Sequence, residues 1–262
     1  MPSPKPKTLR PVRPNAGLQA WYRRQLDKHI REMHQSLVYW LSAEYKAQGL
    51  AMDADGGATL AMRGSLRKLA HRWQWVFDKL ADSLSRRIAE RVLSHADAGL
   101  RAGVKGEGFT VKFTMTTDMQ NAYQAVIGEQ VGLIKSIAEQ HLTEVEGLVM
   151  RSVARGRDLG TLTKELEARY GVTRRRAALI ARDQNNKATS TLTAARQKAL
   201  GITEGVWKHS LGGKHPRPAH LKASGTTFEL AKGLFLDGKW VMPGEEINCR
   251  CTWAPVIPGF DA

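Results

Sequence analysis

Side chains that can bind metals or move protons are concentrated near the C-terminal end of the chain. Thiols and imidazoles are ligands for zinc, imidazoles also act as acids and bases, and guanidinium groups bind oxyanions. The residues of these types, with one neighbouring tryptophan, are Trp207, His209, His215, Arg217, His220, Cys249, Arg250 and Cys251. They are compatible with three kinds of site: a metal centre, an acid–base site or a structural core.

A structural zinc ion takes four nitrogen or sulfur ligands in a tetrahedron. Cys249 and Cys251 could supply two of them, and two of the histidines at 209, 215 and 220 could supply the others. His215 and His220 with the two cysteines is the set that we consider. Because Cys-x-Cys is a weaker zinc signal than Cys-x-x-Cys, we predict no cofactor and keep zinc as an alternative.

An enzymatic site would use His209 or His220 as acid and base, as in a nucleic-acid-processing enzyme. Arg217 or Arg250 would then stabilise a phosphate or an oxyanion. No carboxylate or nucleophile has a fixed spacing to these groups, so we predict no enzymatic activity and assign no catalytic residue.

The third explanation is structural, and it is the one that we favour. Arg217 and Arg250 would hold loops through backbone carbonyls and acids, while the cysteines and tryptophans would fill a small core. A reducing compartment fits the two cysteines, since a disulfide between residues two apart on an extended strand is strained.

The charge of the chain favours an anionic partner. It has 40 Lys and Arg against 25 Asp and Glu, a formal net charge of +15. Residues 205–262 are nearly neutral, so the excess lies upstream. We predict that nucleic-acid phosphates are contacted, without reading of bases, by Arg174, Arg175, Arg176, Arg182 and Lys187. The alternative is a solvated charged face.

Hydrophobic periodicity predicts a mostly helical protein. Apolar residues recur at three and four over 18–41, 66–100 and 134–149, which indicates three long amphipathic helices. A shorter helix is predicted over 159–170, ended by Gly171, and another from an N-cap at Thr173 to Leu200. Apolar and polar residues alternate over 109–116, which predicts one strand.

The predicted fold class is therefore α+β, predominantly helical, with long N-terminal and central helices and a small strand-rich C-terminal module. Residues 1–16 form a basic, proline-rich arm, and 17–128 a helical region with one strand near 109–116. Residues 129–201 are helical, and 202–262 form the module, with a hairpin at Asp237-Gly238. The N-terminus has no apolar signal core and no apolar run is long enough to span a membrane.

Three segments carry a family resemblance, in order and spacing. They are Ala178 to Lys187 (ALIARDQNNK) with Trp207, then Arg217-Pro-Ala-His220, then Pro243 to Cys251 (PGEEINCRC). The chain resembles here the phage head morphogenesis family named after the Mu F protein, over about residues 130–257. We assign structural roles to the residues of the family motif, which are Trp207, Arg217, His220, Asn248, Cys249, Arg250 and Cys251.

The resemblance implies a minor capsid or head morphogenesis protein of a tailed bacteriophage. Such a protein lies inside the head near the portal, and it is made in the host cytoplasm before assembly. The implied partners are the portal protein, the major capsid protein, or both, and double-stranded DNA through non-specific phosphate contacts. No membrane partner is expected. A nucleic-acid-processing enzyme and a zinc-stabilised interaction module remain the alternatives.

Overall fold

The structure is a computed structural model that describes residues 7–47, 57–155, 159–212 and 215–257, without the side chains of 57–61. The sequence Asp53-Ala-Asp-Gly-Gly57 predicts a break between the first two helices; its residues 53–56 lie outside the described residues, and a helix begins at Gly57. Within them the helices are α1 (Ala16–Ala47), α2 (Gly57–Gly106), α3 (Thr117–Ala154), α4 (Leu159–Ala199) and α5 (Pro218–Lys222). The strands are β1 (Glu204–Lys208), β2 (Thr227–Glu229), β3 (Leu234–Leu236), β4 (Lys239–Val241) and β5 (Thr252–Pro255). The predicted fold class is confirmed.

The chain divides into two compact units. One, here the helical unit, consists of Trp21–Ser85 and Glu129–Ile180; the other, the sheet unit, consists of Met1–Ala20, Arg86–Gly128 and Ala181–Ala262. No helix in the described part of the chain is long and apolar enough to cross a membrane.

The helical unit is built on the apolar faces of α1 to α4. The spacing of three and four places these side chains on one side of each helix, so they are buried together. Its fully buried large side chains include Tyr22, Leu26, Ile30, Met33, Leu37, Leu41, Phe77 and Ile134.

The arginine triplet lies inside a helix and not at its start. The prediction that Gly171 ends one helix and Thr173 caps the next was wrong, because α4 is continuous from Leu159 to Ala199. The Thr173 hydroxyl, instead of capping a first turn, donates to the carbonyl of Arg169 one turn earlier (3.2 Å). A glycine inside a helix costs only about 1 kcal/mol relative to alanine, which tertiary packing overrides.

In the sheet unit, β1 is the central strand of a three-stranded antiparallel sheet in the order β2-β1-β5. Trp207 of β1 lies opposite Trp253 of β5. Strands β3 and β4 form the predicted hairpin, whose turn residues Asp237 and Gly238 both have positive φ (48° and 83°). This conformation favours Asp-Gly in two-residue hairpin loops.

The proline-rich segment joins this sheet unit. Thr8 forms a β-bridge with Val256, and the Leu9 amide donates to the carbonyl of Pro255 (2.8 Å). Leu9 and Val12 are buried in the core that surrounds Trp207. Residues 7–12 therefore pack against the chain's own C-terminal module.

The predicted strand at 109–116 was wrong: these residues have no regular secondary structure. The ring of Phe113 lies between two guanidinium groups, those of Arg101 (5.0 Å) and Arg196 (4.9 Å). Arg196 also donates to the carbonyl of Thr114. The buried Arg196 side chain thus takes a backbone acceptor of this segment, and the alternation does not correspond to one buried face, because Phe109 and Met115 are exposed.

Candidate metal centre and basic cleft

One histidine and both cysteines meet in the core of the sheet unit. His220 lies on α5, and Cys249 and Cys251 precede β5; all three are buried. The His220 Nδ1 atom is 3.5 Å from the Cys249 sulfur and 3.7 Å from the Cys251 sulfur. The three possible ligand atoms lie within 4.8 Å of one another. We call this group the Cys-Cys-His centre.

The other side of the imidazole is held by a carboxylate. His220 Nε2 is 2.9 Å from Oε2 of Glu246. Because a carboxylate accepts hydrogen bonds, Nε2 carries a proton and the lone pair of neutral His220 lies on Nδ1, facing the sulfurs. The Trp207 ring packs edge-on against the imidazole at 5.3 Å and fixes its plane further.

Glu246 stays ionised in this position. Burial raises its pKa, but the Lys239 ammonium, the Arg217 guanidinium and His220 more than offset burial and hold the pKa below its ordinary value. The Lys239 ammonium contacts Oε1 directly. The ionised carboxylate therefore accepts a hydrogen bond from Nε2–H of His220.

The two thiols differ in acidity. Hydrogen bonding from Cys251 lowers the pKa of Cys249 to about 5, against the opposing effect of burial. The Gly244 amide also donates to the Cys249 sulfur (3.4 Å). The pKa of Cys251 is raised, because its thiol proton is shared with the Cys249 sulfur and because the side chain is buried. The two sulfurs therefore titrate as a coupled pair that loses its first proton more easily than an ordinary thiol does.

Helix α4 fixes the segment that carries the cysteines. The Asp183 carboxylate accepts from the Asn248 amide (3.0 Å), and the Asn186 side chain donates to the Cys249 carbonyl (2.8 Å). Arg182 donates to the Asn248 side-chain oxygen. Asn248 has φ 62°, a left-handed conformation that asparagine tolerates well.

The motif arginines contact backbone carbonyls. Arg217 donates to the carbonyl of Ile247 (2.9 Å), and Arg250 to that of Gly212 (2.9 Å). Each arginine therefore ties one loop to the segment around the centre, and each still exposes part of its guanidinium group.

Two adjoining cavities beside the centre form a basic cleft. The one next to the cysteines has a volume of about 710 Å³ and the other about 420 Å³. They share Arg182, His209, Ser210 and Arg250, and no carboxylate from the described part of the chain lines either one. The cationic lining residues are Arg13, Arg182, Lys208, Arg217 and Arg250.

Comparison with known proteins gives a family for the region that contains the centre. A family described as Phage Mu protein F like protein matches residues 143–254. Residues 143–254 thus resemble the phage Mu protein F like family. An uncharacterized protein of Haemophilus influenzae is 28% identical over 262 residues, which cover 96% of this chain and 56% of that protein. The chain thus spans little more than half of this relative's length. No solved structure matches the chain.

The Mu F-like region brings together only part of the metal set considered from the sequence. His220, Cys249 and Cys251 meet, whereas His215 lines the cavity outside the group of three. His209 also lines it, and its Nδ1 accepts from the Leu211 amide (3.0 Å). Ligand chemistry alone did not distinguish His220 from the histidines at 209 and 215; the path of the backbone brings only His220 to the two cysteines.

The residues predicted to contact nucleic acid are divided between the two units. In the helical unit, Arg174 is 3.5 Å from Asp27, and Arg176 donates to Ser136 (2.9 Å). Arg175 is exposed. In the sheet unit, Arg182 lines the basic cleft and Lys187 lies 3.8 Å from Asp183. Arg174, Arg176 and Arg182 thus have polar partners outside α4.

Glu246 is the residue of this site that the sequence reasoning missed. It stands two residues before Asn248, inside the same motif, so its nearness to the cysteines could have been noted. Arg13 and Lys208 were missed for another reason. They come from ends of the chain almost 200 residues apart, and only the fold brings them to one cleft.

Proposed function

We propose that the protein is a minor capsid or head morphogenesis protein of a tailed bacteriophage. The observation that carries the proposal is the match of residues 143–254 to the Phage Mu protein F like family. In this role it would lie inside the head near the portal, with the portal protein, the major capsid protein, or both as partners. The chain matches only 56% of its relative's length, so what we propose here concerns the whole protein's role as well as that of this chain.

Co-expression tests the assembly role. We expect the full chain to co-elute in size-exclusion chromatography with the portal protein or the major capsid protein of the same phage genome. The matched control is the same chain with the portal protein of an unrelated phage, which should elute separately. Separate elution from both cognate proteins would contradict the role in head assembly.

The basic cleft supports a contact with DNA phosphates. Five cationic side chains line it, and its described lining contains no acid. Arg182 lines both cavities, and a phosphate oxygen is an acceptor for the guanidinium groups found there. Phosphate contacts of this sort position a protein on DNA without reading its sequence.

Removing two cleft cations should weaken DNA binding in a salt-dependent way. Arg13→Gln with Lys208→Gln removes two exposed positive charges from the cleft. Each phosphate contact contributes about 0.9 to the slope of log K against log salt. We therefore expect the slope, measured by fluorescence anisotropy on double-stranded DNA between 50 and 200 mM salt (about a fourfold range), to become shallower by about 1.8.

The matched control for this variant removes the same net charge from the helical unit. Arg24→Gln with Arg175→Gln changes two exposed arginines there, one of them from the set predicted from sequence. We expect its slope to match that of the unchanged protein. Equal losses in the two variants, or an affinity that ignores salt, would contradict binding in the cleft.

An enzymatic role is disfavoured by the surroundings of His220. Its Nε2 is engaged by Glu246, and its Nδ1 faces the two sulfurs. An acid or base must have a ring nitrogen within reach of substrate. We therefore propose a non-enzymatic role for the Mu F-like region.

A further inference from the structure

We propose that His220, Cys249 and Cys251 bind one zinc ion, with the fourth coordination position open to the basic cleft. The proposal rests on the geometry of these three residues and their neighbours, and it is independent of DNA binding. Two thiolates and one imidazole form a ligand set that suits zinc among the common divalent cations.

The distances fit a shared ion. Bonds of about 2.3 Å from zinc to sulfur and about 2.0–2.1 Å from zinc to nitrogen, at the tetrahedral angle, separate sulfur from nitrogen by about 3.6 Å. In the structure Nδ1 of His220 is 3.5 Å from one sulfur and 3.7 Å from the other. A single lone pair on Nδ1 accepts one S–H donor well, so two sulfurs at nearly equal distance favour a common cation over hydrogen bonds alone.

The surroundings supply the second layer of contacts that such centres have. Histidine ligands of metals commonly donate their other ring N–H to a carboxylate, which fixes the ring and raises its basicity. His220 does this with Glu246 at 2.9 Å. The Gly244 backbone amide donates a hydrogen bond to the Cys249 sulfur, and the Ser210 backbone amide donates one to the Cys251 sulfur. Backbone donors of this kind stabilise the negative charge of bound thiolates.

The fourth position has space for a solvent molecule or an anion oxygen. All three proposed ligands line the cavity of about 710 Å³, together with Arg182, Arg217 and Arg250. Zinc with three protein ligands keeps its remaining position for water or another oxygen donor. His215 lines this cavity but lies outside the group of three, so the proposal assigns it no bond to the metal.

Binding changes only protons and ligands. Zinc binds both sulfurs as thiolates, so any proton that the pair still carries leaves to solvent, and the ion accepts one lone pair from each sulfur and from Nδ1 of His220. The Nε2 proton stays between His220 and Glu246. No electron is transferred, and the bound ion ties α5 to the segment that precedes β5.

Metal analysis of the full, untagged chain tests the proposal. We expect about one zinc ion per chain in protein purified with a reductant and without chelator. Replacing zinc with cobalt(II) should give the sulfur-to-cobalt absorption of a tetrahedral thiolate site. A zinc content far below one per chain, together with no such absorption on cobalt titration, would overturn the proposal and leave a hydrogen-bonded core.

Variants test the ligand assignment. Cys249→Ser and Cys251→Ser should each weaken cobalt binding by at least about 100-fold, more than the loss of an outer contact causes. His215→Ala and His209→Ala are the matched controls, and both should bind cobalt as the unchanged protein does. Loss of binding in either control would overturn the three-ligand assignment. If the cysteine variants fail to fold by circular dichroism, the cobalt spectrum of the unchanged chain still decides.

The DNA experiment distinguishes this proposal from the preceding one. Arg13→Gln with Lys208→Gln changes no proposed ligand, so it should retain the full zinc content whatever its affinity for DNA. Loss of zinc in that variant would contradict the independence of the centre from the cleft charges.

Discussion

Replacing Arg196 with methionine should destabilise the protein by about 3–5 kcal/mol, because it leaves a partly buried carboxylate without its partner. The Arg196 side chain is only 4% exposed. It makes a two-pronged contact with Asp97, with nitrogen–oxygen distances of 2.7 and 3.0 Å, and it covers the face of Phe113. Methionine keeps the length and apolar stem of the side chain but none of its donors.

Chemical denaturation measures this loss, and two variants interpret it. Lys198→Met changes an exposed cation on the same helix, and it should alter the free energy of unfolding by no more than about 0.5 kcal/mol. Adding Asp97→Asn to Arg196→Met should recover part of the loss, since the unpaired charge is removed. A loss for Arg196→Met as small as that for Lys198→Met would show that the pair does not stabilise the fold.

The same pair explains why the segment at 109–116 could not be read from the sequence. Alternation of apolar and polar residues there is the pattern of a strand, and nothing local contradicts it. The outcome depends on Arg196, 80 residues further along, whose guanidinium group takes both the Thr114 carbonyl and the Phe113 ring. Local periodicity cannot report a partner at that distance.

Long helices were predictable because their periodicity extends over many turns. Most of the apolar positions of α1 between Tyr22 and Leu41 are buried, as their spacing predicts, although Trp40 is exposed. The Asp237-Gly238 hairpin was predictable because its two turn residues need positive φ. Gly171 misled for the opposite reason: the cost of a glycine inside a helix is small, so tertiary context overrides it and α4 continues.

For the site, the sequence supplied the residues but not their arrangement. Cys249 and Cys251 are close in any fold, whereas His220 joins them only because α5 places it against Trp207. The role of the motif in α4 is likewise visible only in the folded chain. Asp183 and Asn186 fix the backbone of the cysteine segment, so the two motifs are joined in the sheet unit.

His141 makes the stability of the helical unit depend on pH. It is buried on α3, where burial first, and then the charges of His34 and Arg169, lower its pKa to about 4. Its Nδ1 is 2.9 Å from the Thr173 hydroxyl, which donates its own proton to the Arg169 carbonyl. The imidazole is therefore neutral with its proton on Nδ1, and its Nε2 is buried without a partner among the described residues.

Acidification should therefore destabilise the protein through His141. The unfolded chain takes up this proton near pH 6.5, and the folded chain only near pH 4, so the stabilising contribution is complete above 6.5 and is lost as the pH falls toward 4. Between pH 7.5 and pH 5 the loss from this group alone is about 2 kcal/mol. His141→Asn keeps a donor for Thr173 but does not titrate. Urea denaturation of both proteins should show that the unchanged protein loses about 2 kcal/mol more than the variant over this range, whereas parallel losses would mean that His141 is not held neutral by the fold.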